Sequence, residues 1–275
     1  MQVSVVLSTY NSAELLERVL LGYQRQEALD FELLVADDGS SAETRVLIDR
    51  MRDEVSYDLR HVWHEDHGFQ KCRILNRAIE KARGDYLVVS DGDCIPWSTF
   101  LSIHREQARP RYFLSGGYHR MSRQLSESVT AGDVVEGRIE DLSWLQAHGL
   151  DSAWRSRRLV ARGAGAVVLD MLTTTRPSWN GHNASAWKAD LLRVNGFDER
   201  MGWGGEDREL GERLVNLGIR GRQIRHRAIL MHLWHAHGYV DGDVVAANLE
   251  IRKETARTSA RFTPYGIRRA CGGSD

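Results

Sequence analysis

The sequence has little of what would mark a disulfide scaffold, a membrane span or a nucleic-acid binder. Its three cysteines, Cys72, Cys94 and Cys271, are odd in number and show no CxxC spacing. That excludes a zinc ribbon and suits a reducing cytosol better than a disulfide framework. No window approaches the roughly 20 apolar residues that a membrane helix needs. Met1-Gln2 runs directly into Val3-Ser4-Val5-Val6-Leu7 with no basic leader and long apolar stretch of a secretory signal, so the reading is a cytoplasmic protein. An excess of either charge is also missing. Thirty-seven Lys and Arg face 38 Asp and Glu, for a formal charge of −1, and nothing in that balance draws the whole chain to nucleic acid. There is no internal repeat and no low-complexity linker.

What is present is a core and a regular alternation. Hydrophobic residues make up 42% of the chain, enough to bury a substantial interior. Val3 to Leu7 reads as a buried strand, and Phe31 to Ala36, His61 to His64 and Tyr86 to Ser90 as further strands. Between them, Ser12 to Tyr23, Ala42 to Arg50 and Cys72 to Ala82 carry apolar residues at helical spacing. This alternation predicts an α/β fold with a Rossmann-like, mostly parallel central sheet flanked by helices. Such sheets bind ligands at the carboxyl ends of their strands, where the sequence places Thr9-Tyr10-Asn11, Asp37-Asp38 and Asp91-Gly92-Asp93. Beyond Pro96 the pattern loosens. The reading is one domain over 1–240, in halves 1–100 and 101–240, followed by a basic tail at 241–275 rich in arginine. That tail offers a weak peripheral contact with anionic lipid.

Three constellations carry chemistry. Asp91-Gly92-Asp93 sets two carboxylates beside a flexible residue, the oxygen ligands that Mg²⁺ or Mn²⁺ takes when it bridges phosphates; the same triplet also serves as a plain solvated turn. Asp38 would face the same crevice and accept a hydrogen bond from a base or ribose, or else cap a turn. Gly202-Trp203-Gly204-Gly205-Glu206-Asp207 joins glycines that let the backbone approach a ligand, an indole for a sugar ring to stack on, and two acids opening a helix. His232-Leu233-Trp234-His235, with His237 beyond, offers imidazoles to complete a metal shell, or buried core histidines. Lys71, Arg73 and Arg77 could meet a diphosphate, and Arg155, Arg157, Arg158 and Arg162 could form a mobile cover, although a solvated charged face is the more ordinary reading of each.

Taken in order, these segments resemble glycosyltransferase family 2 of the GT-A fold. Val5-Val6-Leu7-Ser8-Thr9-Tyr10-Asn11 looks like that family's opening strand and donor loop, Val35-Ala36-Asp37-Asp38-Gly39-Ser40 like its base-binding segment, and Ser90-Asp91-Gly92-Asp93 like its DxD motif. Gly181-His182-Asn183-Ala184-Ser185, Asn195-Gly196-Phe197-Asp198-Glu199 and Gly202 to Asp207 are similar to a C-terminal region shared by β-1,4-galactosyltransferases and chondroitin-polymerase-type enzymes. The resemblance covers about residues 3 to 237 and gives no guidance past residue 240.

The resemblance implies an inverting, metal-dependent glycosyltransferase. Its donor would be a nucleoside-diphosphate sugar, a UDP-sugar, and its acceptor a hydroxyl of a glycan or glycolipid in cell-surface polysaccharide or lipopolysaccharide synthesis. Thr9, Tyr10, Asn11, Asp38, Lys71, Arg73, Asp91 and Gly92 would bind the donor. Asp93, with Asp91 and with His232 or His235 or both, would hold Mn²⁺ or Mg²⁺. Asp207 would be the base, beside Glu206, while Trp203, Gly204 and Asn183 would shape the sugar sites. Two rivals are weighed. A sugar-nucleotide nucleotidyltransferase would use the same sheet and acids, but no Gly-rich, Lys-containing triphosphate loop follows the first strand; a non-catalytic carbohydrate-binding protein would need no base at Asp207.

Overall fold

A computed structural model describes residues 1–27, 30–150, 156–161, 163–236 and 241–268, the side chain of Arg157 excepted. The first half runs β1 (Val3–Thr9), α1 (Ala13–Gln24), β2 (Phe31–Asp37), α2 (Ala42–Glu54), β3 (Asp58–Trp63), α3 (Lys71–Lys81) and β4 (Tyr86–Asp91). It continues through β5 (Cys94–Pro96), α4 (Phe100–Gln107), β6 (Tyr112–Ser115) and β7 (His119–Arg120). Short helices follow: α5 (Arg123–Ser128), α6 (Ala131–Val135), α7 (Leu142–Ala147), α8 (Arg157–Val160) and α9 (Gly163–Met171). The chain then forms β8 (Ala184–Trp187), α10 (Lys188–Arg193), α11 (Glu206–Asn216), β9 (Arg220–Gln223), β10 (Leu230–His232) and α12 (Gly242–Thr258).

The main sheet has seven strands in the order β3-β2-β1-β4-β8-β6-β9. β3, β2, β1 and β4 run parallel, β8 is antiparallel to both its neighbours, and β9 pairs parallel with β6. The expected mostly parallel sheet is therefore present. Every residue of β1 and β2 is buried, as a strand covered on both faces must be. Alternate side chains divide between two cores: Val3, Val5 and Leu7 pack with α1 and α2 residues such as Leu16 and Ile48, while Val6 packs with Ile74 and Leu75 of α3 and Leu210 of α11. This period of two is what a strand imposes on its side chains, and it fixes the register that sets the strand ends level.

A second, three-stranded sheet orders β5-β10-β7. It pairs His232 directly with Cys94, so the strand that carries the histidines lies against the segment after Asp93. Residues 241–268, read from the sequence as a tail, include α12, whose three basic residues each meet an acid: Arg252 with Glu212, Lys253 with Glu250 and Arg257 with Glu254. The segment is tied to the body by Thr263, whose hydroxyl donates to Asp198 Oδ2 at 2.6 Å, and by Asn195, which holds the Thr263 and Arg268 carbonyls. No helix among the described residues is long and apolar enough to cross a membrane.

Candidate active site

The parallel register brings the ends of β1, β2 and β4 side by side. Thr9 pairs with Asp37 and Ser8 with Asp91, and the Gly92 N–H donates to the Ser8 carbonyl at 2.7 Å. Ser8 Oγ and Lys71 Nζ both donate to Asp91 Oδ1, at 2.6 and 2.9 Å. Burial alone would raise the Asp91 pKa, but the Lys71 charge and the Ser8 hydrogen bond outweigh it and bring the carboxyl to about 2. Lys71 in turn stays protonated: burial works against its charge, and Asp91, Asp207 and Glu206 overcome that. On the β2 side, Asp38 accepts from Gln70 N–H at 3.0 Å and contacts His64 Nε2 at 2.8 Å. Tyr10 is exposed and its hydroxyl donates to Asp66 at 3.0 Å. Asn11, with a left-handed φ of 45°, locks the loop to Ser40 and Ser41.

Asp93 begins the second feature. His235 Nε2 lies 2.9 Å and His232 Nε2 3.7 Å from Asp93 Oδ2, and the two imidazoles are 5.4 Å apart, nearly parallel. The spacing of three residues turns both rings toward one carboxylate because β10 ends at His232 and the Leu233 N–H is held by the Asp93 carbonyl at 2.8 Å. The donor set of one carboxylate and two imidazoles suits Mn²⁺. Cys94 Sγ also lies within 4.8 Å of the Asp93 and His232 ligand atoms. Burial, then the charges of Asp93 and Asp91, push its thiol pKa well up, and Sγ donates to Asp93 Oδ1 at 3.2 Å, so Cys94 is a protonated neighbour and not a thiolate ligand.

The third feature closes the cleft. Gly204 and Gly205 adopt φ of 105° and 97°, which turns the chain sharply into α11 and leaves Trp203 exposed. Glu206 is buried and accepts from the Gly204 N–H at 2.9 Å, so it braces the turn that presents Asp207. Asp207 stands beside Gly181, whose backbone N–H faces it; a Cβ at that glycine would come within 2.7 Å of Oδ2. Its Oδ1 is buried and has no hydrogen-bond partner among the described residues. Burial raises the Asp207 pKa to about 7, with Glu206 and Asp91 adding to the rise and Lys71 opposing it.

Some expected residues are placed elsewhere. Asn183 is fully buried, its amide donating to the carbonyls of Gly117 and Ala228 and meeting His104. It braces the wall of the cleft from within the core and does not face a sugar. Arg73 engages Glu199 at 3.3 Å and Gln70, so Lys71 alone of the two reaches Asp91. Arg155, Arg162 and His237 lie outside the described residues.

Two residues that sequence reasoning left out join the site. His182 packs edge-on against Tyr118 at 4.5 Å, and Tyr118 lies 5.0 Å from His232. Burial lowers the His182 pKa to about 4, reinforced by His232 and Lys71 against the pull of Asp91 and Asp93, so the ring is neutral at pH 7. Asn248 of α12 is buried and its amide donates to three successive carbonyls, Gly202 at 2.9 Å, Trp203 at 3.2 Å and Gly204 at 3.0 Å. The place of His182 in the Gly181-His182-Asn183 segment could have raised suspicion of it; nothing local to Asn248 marks that residue.

Comparison with known proteins bears on the family and the fold. Residues 4–107 match the family model for glycosyl transferase family 2, and residues 175–236 match that described as the N-terminal domain of galactosyltransferase. Chondroitin synthase of Escherichia coli is 26% identical over 80% of this chain and 33% of its own length. The uncharacterized glycosyltransferase YfnE of Bacillus subtilis is 31% identical over 90% of this chain and 69% of its own. Among solved structures, a mannosyltransferase from Pyrobaculum calidifontis in complex with GDP-Man and Mn²⁺ superposes with a TM-score of 0.61 at 19% identity, covering 95% of this chain and 66% of that one. The chain spans a third to about half of the length of the first curated relatives it matches. On these matches, and on a sheet whose acid-tipped strands meet the Gly-Trp-Gly-Gly-Glu-Asp turn, the chain belongs to glycosyltransferase family 2 and has the GT-A fold.

Proposed function

We propose that this chain transfers a sugar, with inversion, from a UDP-sugar to a hydroxyl of a glycan or glycolipid acceptor, in the synthesis of a cell-surface polysaccharide or lipopolysaccharide at the cytoplasmic face of the membrane. The observation that carries the reading is Asp207: a carboxylate with a pKa of about 7 and one oxygen unpartnered among the described residues, near enough to Lys71 and Asp91 for both charges to act on it. In this reading residues 1–100 hold the donor and residues 101–240 shape the acceptor site.

The base and ribose lie over Thr9, Tyr10 and Asn11, with Asp38 accepting from uracil N3–H. The His64 and Gln70 contacts fix the Asp38 carboxylate for that hydrogen bond. Guanine N1–H answers the same acceptor, so a nucleotide screen separates the two. Asp93, His232 and His235 are the residues suited to hold Mn²⁺ or Mg²⁺, with Asp91 on the ribose or metal side. When bound, the ion supplies charge stabilisation to the diphosphate leaving group. Lys71 adds a fixed positive charge beside it. The acceptor sugar stacks on Trp203, and Asp207 takes the proton from its hydroxyl. The new oxygen–carbon bond forms at the anomeric carbon as the bond to the diphosphate breaks on the opposite face, which releases the nucleoside diphosphate. General-base help of this kind contributes about 10²–10⁴-fold. Below about pH 7 Asp207 carries a proton and cannot accept another, so the rate rises with pH through that value.

The test is product analysis by NMR after incubation with α-linked UDP-sugars and a panel of sugar acceptors. A β-linked product supports the proposal. An α-linked product, pyrophosphate release from a nucleoside triphosphate and a sugar phosphate, or sugar binding with no turnover each contradicts it.

A further inference from the structure

The bend from Asn180 to Asn183 is clamped at both ends. Asn180 Oδ1 accepts from the Asn183 N–H at 2.7 Å, and the Gly116 N–H donates to the Asn183 carbonyl at 2.8 Å. The Asn183 side chain is locked into the core by Gly117, Ala228 and His104, and it packs on Gly116 so closely that a Cβ there would come within 2.2 Å of it. At the other end Gly181 lies against Asp207 with no room for a side chain. His182 sits between these two anchors, so its backbone is held in place beside Asp207.

The His182 ring is partly exposed. It rests edge-on against Tyr118 at 4.5 Å, and Tyr118 in turn lies 5.0 Å from His232. No hydrogen bond among the described residues occupies either of its ring nitrogens. The charges of Asp91, His232, Lys71 and Asp93 all act on it, which puts it among the groups suited to hold a metal and a diphosphate, while the residue before it touches Asp207. A metal ligand is one task for an imidazole in this position. His182 is not among the residues whose ligand atoms lie within 4.8 Å of one another, which are Asp93, Cys94 and His232.

In the transferase reading above, on which this inference rests, the gap between those groups is the place of the transferred sugar. Its anomeric carbon is bonded to the diphosphate and is attacked by the hydroxyl that Asp207 deprotonates, so the sugar ring spans from one group to the other. The acceptor is read on Trp203, in the separate turn before α11. A neutral imidazole has one N–H to donate and one bare nitrogen to accept, and a sugar hydroxyl also does both. We infer that His182 selects the donor sugar, through a hydrogen bond between its ring and a hydroxyl of that sugar.

The experiment is calorimetric titration, with Mn²⁺ present, of UDP, UDP-glucose, UDP-galactose, UDP-xylose and UDP-N-acetylglucosamine into wild type, His182→Ala and His182→Gln. UDP should bind all three proteins alike. Wild type should favour one sugar over its nearest analogue by about tenfold, the value of one hydrogen bond made or lost. His182→Ala should lose that preference, and His182→Gln, whose amide still donates and accepts, should keep part of it. Two results would overturn the inference: the same sugar ranking in His182→Ala as in wild type, or UDP weakened in both variants as much as the UDP-sugars. Wild type that binds UDP but ranks no sugar would overturn it and leave the transferase reading standing. Wild type that binds no UDP would remove that reading and the inference together.

Discussion

Replacing Asp207 with Asn should make the protein more stable and inactive at once, and the size of the gain can be worked out. Burial holds the Asp207 carboxyl at about 7 against an ordinary 3.8, a rise of about three units. Each unit corresponds to about 1.36 kcal/mol, so the ionised carboxylate costs the folded state at most about 4 kcal/mol. Below pH 3.8 the folded and unfolded chains both carry the proton. Between 3.8 and about 7 only the folded chain keeps it, and the stability contributed by that proton is lost as pH rises through the folded value. Asparagine has nearly the same shape and no proton to lose. The Asp207→Asn chain should therefore match wild type near pH 4 and exceed it by about 2–4 kcal/mol at pH 8. Urea denaturation at the two pH values, without added metal, reads this directly. A variant that is equal or weaker at pH 8, or a difference that does not change with pH, would show that Asp207 is not the strained acid described above.

Other substitutions separate the remaining roles. Lys71→Met should cost about 1–2 kcal/mol at pH 7 by stripping Asp91 of its counter-charge; that contribution is present above the ordinary carboxylate range and is lost as pH falls toward about 2, so wild type and variant should converge in strong acid denaturation curves. His235→Ala should weaken Mn²⁺ binding by about tenfold or more in calorimetry, whereas Cys94→Ser should leave it unchanged, and a large effect of the serine would make Cys94 a ligand. Asn248→Ala should free the carbonyls of Gly202, Trp203 and Gly204 and raise the acceptor KM while the donor KM stays constant; equal change in both would mean a general loss of structure.

Much of the fold was legible because it is local. Apolar runs of strand length ending in Thr9, Asp37 and Asp91 fixed which residues share the crevice, since every parallel strand delivers its carboxyl end to the same side. The His232 and His235 spacing was legible through the family resemblance, and in the structure both rings turn toward Asp93, His232 from the end of β10 and His235 from three residues beyond it. What was not legible depends on partners distant in sequence. The antiparallel β8 between β4 and β6 is chosen by packing of the whole sheet. Arg73 finds Glu199 across 126 residues, and Asn183 is claimed by the core through Gly117 and Ala228. Asn248 looked like one more polar residue in a basic tail, and only the fold brings it to the Trp203 turn.

The most direct test of the account is calorimetric titration of UDP, GDP, CDP and dTDP, each with and without Mn²⁺, into wild type and Asp93→Ala. The account predicts that UDP binds wild type with Mn²⁺ and that Asp93→Ala loses this binding. Metal-independent binding, retention by Asp93→Ala, or no binding of any nucleotide would contradict it.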